Sequence, residues 1–124
     1  MADNEYVFPY LNLDLYAGMP VKEYAVALQW YEKLLGCPPT FVASETEAVW
    51  DLEPHCSIFI HEMPERAGHA IHSIFVNDFD TLVAQISERG IEPTKREEYK
   101  NGVRKALYHD PDGNEVGFGG APPA

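Results

Sequence analysis

The chain has 124 residues, a length that suits one globular domain with its own apolar core. Aspartate and glutamate outnumber lysine and arginine by 20 to 9, and the resulting net charge of −11 disfavours nucleic acids and anionic membranes as partners. A hydrophobic fraction of 45% argues against disorder, and no apolar run approaches the roughly 20 residues that span a bilayer.

The cysteines and the N-terminus predict a cytoplasmic location. Cys37 and Cys56 are the only cysteines, and residues 1–5 lack the basic and apolar regions of a signal peptide. Two thiols without an export signal are most simply free in a reducing compartment. The acidic balance keeps such a protein soluble, and it is compatible with a cationic or neutral ligand.

The first half of the chain predicts a strand, a helix and three strands. Residues 6–16 end in strict alternation of apolar and polar side chains, which indicates a strand that Gly18 to Pro20 would end. Residues 22–35 carry an apolar stripe at helical spacing, and Gly36 stands where a helix C-cap glycine belongs. Three short strands are predicted near residues 40–43, 48–52 and 56–61.

The second half repeats this order of elements. A strand over residues 70–76 precedes a helix that begins after the N-cap candidates Asn77 and Asp78 and ends at Gly90. Three more strands are predicted near residues 94–98, 103–108 and 115–119. The repetition predicts an α+β fold of two βαβββ modules, with module one over about residues 6–62 and module two over about residues 69–119.

A turn sequence near the C-terminus carries a family resemblance. Residues 110–114, Asp-Pro-Asp-Gly-Asn, combine a proline and a glycine with side chains that bond back to nearby amides, so they predict a β-hairpin. This string resembles the signature of the vicinal oxygen chelate superfamily of glyoxalases, extradiol dioxygenases and bleomycin resistance proteins. The segment from Leu28 to Gly36 resembles the family's first helix. The resemblance implies one domain over residues 1–124, whose two modules form a curved, cup-shaped mixed sheet.

Enzymes of this superfamily hold a divalent metal in the cup with histidine and glutamate side chains from four strands. In this chain the four ligand positions fall on side chains that bind metals poorly, namely Tyr10, Phe59, Ile71 and Gly117. We therefore expect neither a metal nor another cofactor. An alternative is a displaced site of His61, His69 and Glu115, which would make the protein a metal-dependent lyase, isomerase or dioxygenase.

The cup would instead offer aromatic and polar side chains. Strand alternation, and the rule that faces opposite the helices line the cup of this fold, select seven candidate ligand-binding residues. They are Tyr10, Asn12, Asp14, Trp50, Phe59, Ser73 and Phe75. Aromatic walls with a few carboxylates suit a flat or cationic organic molecule. The alternative is that these aromatic side chains fill the cup and pack a dimer interface.

Three functional hypotheses follow. The bleomycin resistance branch has no metal and sequesters a cationic drug between two subunits, so the resemblance implies a homodimer that binds a small aromatic or cationic molecule. The second hypothesis is an enzyme with the displaced metal site. The third is cofactor-free acid–base catalysis with Asp14 or His61 as the base, for which Asp14 would need burial among apolar neighbours.

Overall fold

The chain folds into two four-stranded mixed sheets and two helices in a computed structural model that describes residues 8–9 and 12–123. Sheet A contains, in order, β1 (Leu15–Val21), β4 (Cys56–Glu62), β3 (Glu47–Glu53) and β2 (Phe41–Ser44). Sheet B contains, in order, β5 (Ile71–Val76), β8 (Glu115–Gly120), β7 (Arg104–His109) and β6 (Lys95–Glu98). Helices α1 and α2 span Tyr24–Leu35 and Phe79–Glu88, and a short 3-10 turn spans Pro64–Arg66. The predicted α+β class and its two βαβββ modules are confirmed.

The first strand lies later in the chain than the sequence predicted. It runs through Gly18 and Pro20, which were expected to end it. Pro20 is tolerated because β1 is an edge strand. Its carbonyl oxygen accepts a hydrogen bond from Asn114 Nδ2 (2.7 Å) and therefore points away from β4. The backbone nitrogen of a strand residue points to the same side as its carbonyl oxygen, so the missing N–H of Pro20 removes no hydrogen bond to β4. Gly18 is needed because a Cβ there would lie 2.6 Å from Phe59 Cζ.

One apolar core lies between the sheets and the helices. Its largest buried side chains are Trp50, Tyr31, Tyr108, Met19, Leu34, Ile60, Ile86, Val21 and Val116. We call the face of each sheet that contributes to this core the helix side, and the opposite face the outer face. None of the helices in the described ranges is long and apolar enough to cross a membrane. Both cysteines are free, as expected.

The two modules pack against each other through their helix sides. His72 shares the helix side of sheet B with Ile74 and Val116, and its Nε2 donates to the Gly18 carbonyl oxygen at 2.9 Å. The free edge of β1 therefore lies on the helix side of sheet B. Arg89 adds a second link, since its guanidinium donates to the last carbonyl oxygens of α1. The outer faces consequently point away from each other, and one chain does not enclose a cup between them.

The turn at residues 110–114 joins the modules through its two buried side chains, Asp110 and Asn114. Asp110 Oδ1 accepts hydrogen bonds from the backbone amides of Asp112 and Asn114, both at 2.9 Å. Its Oδ2 accepts from the Tyr31 hydroxyl and from Asn114 Nδ2, both at 2.8 Å. A buried carboxylate requires such donors, because nothing else replaces its lost hydration.

The same turn also holds the ends of two strands. Asn114 is fully buried, and its Oδ1 accepts from the Ala70 amide (2.9 Å) just before β5. Its Nδ2 donates to the Pro20 carbonyl oxygen near the end of β1. Asp112 Oδ2 accepts from the Lys22 amide at 2.9 Å. The string that predicted only a hairpin therefore also sets the angle between the modules.

Tyr31 provides a test of this junction. Burial, reinforced by the Asp110 carboxylate beside it, raises the pKa of the Tyr31 phenol above its ordinary value of 10.0. The unfolded chain ionises this phenol above pH ~10 while the folded chain keeps it neutral, so the free energy of unfolding falls by about 1.4 kcal/mol per pH unit in that range. Below pH ~10 the contribution of Tyr31 is complete and constant.

We expect Tyr31→Phe to lower the free energy of unfolding by about 1–3 kcal/mol at neutral pH, because Asp110 loses a buried donor. The deficit should shrink above pH ~10, since the variant lacks the titrating group. Urea unfolding at neutral and alkaline pH measures both effects, with the exposed Tyr16→Phe as the control. A deficit that does not change with pH would contradict this account of the junction.

Candidate ligand-binding site on the outer faces

A row of apolar side chains crosses the outer face of sheet A. The strand registers align Phe41 with Val49, Val49 with Phe59, and Phe59 with Gly18. The Phe59 ring lies over Gly18, where no side chain competes for the space. Tyr16, also on this face, is 52% exposed although it lies within a strand. The face therefore presents aromatic surface that the single chain does not cover.

One end of this face is acidic. A depression of about 620 Å³ is lined by Asp14, Tyr16, Asp51, Leu52, Glu53, Pro54, His55 and Ser57. Asp51 Oδ1 accepts from Ser57 Oγ at 2.7 Å, and Asp14 Oδ1 pairs with His55 Nδ1 at 2.5 Å. The Asp14 and His55 side chains are 52% and 63% exposed. Asp14 is therefore not buried within one chain, and acid–base catalysis by this residue stays a prediction.

The outer face of sheet B has a second depression, of about 250 Å³. It is lined by Ser73, Ile74, Phe75, Tyr99, Val103, Lys105 and Gly119. Phe75 is 64% exposed and stands beside Gly119, on which a Cβ would lie 3.4 Å from the ring. Lys105 Nζ donates to Ser73 Oγ at 3.2 Å. This face thus combines aromatic surface with an ammonium group.

The seven predicted ligand-binding residues do not share one face. Asp14 and Phe59 belong to the outer face of sheet A, whereas Ser73 and Phe75 belong to that of sheet B. Asn12 was predicted to lie in the first strand, but it is an exposed residue before β1 with a φ of 59°. Tyr10 lies outside the described residues.

Trp50 lies on the helix side of sheet A and not on the outer face, where the sequence placed it. It pairs with Ile58 on the helix side, is 1% exposed, and donates from its indole Nε1 to the Cys37 carbonyl oxygen at 3.0 Å. Its ring centroid lies 6.1 Å from that of Tyr31 in the core. The sequence did contain a signal for this, in the next residue. Successive strand residues point to opposite faces, so the charged Asp51 indicates that its own face is exposed and that Trp50 is on the buried one.

The structure also corrects one of the four metal-ligand positions. The strand end and helix start of the first module, Val21 and Tyr24, recur 55 residues later as Val76 and Phe79. The counterpart of Ile71 is therefore Tyr16, and the assignment to Tyr10 was wrong. Phe59 keeps its position, because it pairs with Gly18 as Gly117 pairs with Ser73.

The residues at these positions do not fit a divalent metal. The Phe59 ring fills the space over Gly18. A Cβ on Gly117 would lie 2.9 Å from Leu107 Cδ2 and 3.4 Å from Lys105 Cε, so those side chains occupy the space of a ligand there. Neither position, nor that of Ile71, supplies the imidazole or carboxylate that such a metal needs.

The displaced site is not formed either. Within residues 8–9 and 12–123, no group of three or more histidine, cysteine, aspartate and glutamate side chains is arranged to hold a metal ion. Glu115 Oε1 instead accepts from His109 Nε2 at 3.3 Å. His61 lies on the outer face of sheet A, and His69 is exposed before β5. One chain therefore does not bring His61, His69 and Glu115 together, and a displaced site shared between protomers stays a prediction.

Sequence reasoning missed the cation and one aromatic residue of sheet B. Lys105 and Leu107 alternate with the buried Ala106 and Tyr108, so alternation alone could have placed Lys105 on the outer face. Tyr99 follows β6 and gave no such signal, because its place beside Lys105 depends on the loop after that strand.

Comparisons with known proteins agree with this fold. The family model of the Glyoxalase/Bleomycin resistance protein/Dioxygenase superfamily matches residues 13–118, and the chain belongs to that superfamily. A search of curated proteins found no match. Among solved structures, a glyoxalase/bleomycin resistance protein from Catenulispora acidiphila DSM 44928 is 50% identical with a TM-score of 0.87, and the match covers 90% of this chain and all of that chain.

Two more distant structures show the same fold. A bleomycin-binding protein complexed with bleomycin is 17% identical with a TM-score of 0.70, over 88% of this chain and 98% of that one. A lactoylglutathione lyase from Agrobacterium tumefaciens is 14% identical with a TM-score of 0.72, over 90% of this chain and 95% of that one. One of these proteins is described as a binding protein and the other as an enzyme, so the fold by itself does not assign the function.

Proposed function

We propose that this protein binds a small aromatic organic molecule on the outer faces of its sheets, without a metal, and thereby sequesters it. The observation that carries the proposal is that apolar side chains occupy positions where the family's metal enzymes carry metal ligands. Phe59 and Ile71 stand where the family's metal enzymes carry donors, and exposed aromatic side chains surround them. Rings of this kind favour flat ligands through stacking and area burial.

The acidic end of sheet A favours a positively charged or neutral group on the ligand. Asp14, Asp51 and Glu53 line its depression, and the net charge of −11 adds a long-range attraction for cations. A cation beside Tyr16 would also contact the face of an aromatic ring. The relative described as a bleomycin-binding protein shares the fold, which is compatible with such a ligand.

A homodimer would bring the two faces together. Since the outer faces point apart within one chain, a ligand held between two sheets requires a sheet of the partner, and we infer that sheet A of one protomer faces sheet B of the other. The exposed apolar side chains on the outer faces support this arrangement: Ile71 is 70% exposed, Phe75 is 64% exposed, and both are strand residues. The carboxylates on sheet A and the ammonium of Lys105 on sheet B are complementary in charge.

Ligand binding is tested by Phe59→Ala. Removing the ring should weaken binding of a cationic aromatic probe, 9-aminoacridine, about tenfold, because stacking and buried area are lost. Calorimetric titration measures the affinity, and circular dichroism confirms the fold. The control is Val26→Ala, a 47% exposed apolar site on α1 away from the outer faces. Unchanged affinity in Phe59→Ala, or no binding of the probe by the parent protein, would overturn the proposal.

Dimerisation is tested by Ile71→Glu. A carboxylate in the centre of the proposed interface would be desolvated without a partner, so the variant should be a monomer by light scattering. Val26→Glu changes the charge equally on α1 and should remain a dimer like the parent. A monomeric parent protein at micromolar concentration would contradict the arrangement.

A further inference from the structure

Lys105 is held across the centre of the outer face of sheet B. Its side chain starts on β7 and lies over β8, where a Cβ on Gly117 would be 3.4 Å from its Cε and a Cβ on Gly119 would be 3.8 Å from its Cγ. Its Nζ then reaches Ser73 Oγ on β5 at 3.2 Å. The aliphatic part of the Lys105 side chain therefore packs over Gly117 and Gly119, which have no side chains, and the Ser73 hydroxyl holds its ammonium in place.

No carboxylate neutralises this ammonium. Among the described residues, none lies within ion-pair distance of Lys105 Nζ. Glu97, its neighbour across β6 and β7, is paired with Lys95 Nζ at 3.3 Å and accepts from the Tyr99 hydroxyl at 3.3 Å. In a chain with 20 acidic and nine basic Lys and Arg side chains, a partly buried cation without an acidic partner is unexpected on electrostatic grounds.

The position of the Lys105 ammonium in the fold indicates what it binds. Gly117 is one of the four positions at which the family resemblance implies a metal ligand, and it pairs directly with Ser73. The Lys105 stem takes the space of that ligand, and its ammonium lies beside the paired residue. A fixed positive charge thus stands in the region where a metal ion would otherwise attract the oxygen atoms of a substrate.

The residues around the ammonium indicate which chemical groups the rest of the ligand would carry. Phe75 and Tyr99 form aromatic walls, Val103 adds apolar surface, and Gly119 forms part of the floor. The depression of about 250 Å³ has room for a small ring system. An ammonium and a hydroxyl at one end complement a group with anionic oxygens, such as a carboxylate or a phenolate.

We propose that the outer face of sheet B binds an aromatic molecule through an anionic oxygen, with Lys105 and Ser73 as its polar partners. The inference deepens the proposed function and rests on it, because it assigns this face as a ligand face. Together with the acidic end of sheet A, it implies that a ligand spanning both faces of a dimer carries an acidic group at one end and a basic or neutral group at the other.

The test compares three probes of one shape: naphthoate, naphthylmethanol and naphthylmethylammonium. Calorimetric titration at an ionic strength of about 0.15 M should show tighter binding of naphthoate than of the neutral naphthylmethanol, despite the net charge of the protein. Lys105→Met keeps the stem and removes the charge, so it should weaken naphthoate binding about tenfold or more while leaving naphthylmethanol unchanged. Lys105→Arg should retain most of the affinity.

Lys95→Met is the matched control, because it removes one positive charge from the adjacent strand, where Lys95 is 64% exposed. It should bind naphthoate like the parent. Equal binding of naphthoate by Lys105→Met and the parent, or a parent that binds naphthylmethanol as tightly as naphthoate, would overturn the assignment of Lys105. Binding of the neutral or cationic probe in that case would leave the proposed function standing, whereas failure of all three probes and of 9-aminoacridine would overturn both.

Discussion

The buried hydrogen bonds of Asp110 and Asn114 hold the two modules together, and the character of the site depends on them. Asp110 has donors from its own turn and from Tyr31 on α1, while Asn114 bonds to the ends of β1 and β5. Because Tyr31, Asp110 and Asn114 are buried, removing one of these side chains leaves an unpaired polar group in the core. The junction keeps the free edge of β1 on the helix side of sheet B, and this directs both outer faces to solvent.

Those outer faces explain how a fold associated with metal chemistry suits a binding protein. A ring covers Gly18 on sheet A, and a lysine stem covers Gly117 on sheet B. Both glycines accept a large neighbouring side chain because they have none of their own. The result is aromatic surface with carboxylates at one end of sheet A and an ammonium on sheet B. Under the proposed function, such surface would select a ligand by shape and charge without a metal to hold its oxygens.

Periodicity predicted most elements, since both helices and all but the first strand were placed within one or two residues of their observed positions. The first strand was misplaced because Gly18 and Pro20 signal a break locally, whereas the edge position of β1 and the close approach of Phe59 make them suitable. Trp50 was assigned to the wrong face because its aromatic side chain was weighed above the charged Asp51 next to it; the strand register then pairs Trp50 with Ile58 on the helix side. The contact of Lys105 on β7 with Ser73 on β5 crosses β8, and no local sequence pattern predicts that these two residues are close together.

The central claim is that the site works without a metal. The most direct measurement is the metal content of the purified protein, as isolated and after dialysis against Fe(II), Mn(II), Ni(II) and Zn(II), by elemental analysis. The account predicts that no metal is retained in stoichiometric amount, because Phe59, Ile71 and Gly117 supply no donors. One metal ion per chain, lost when His61 or Glu115 is replaced by alanine, would contradict it and restore the metalloenzyme hypothesis.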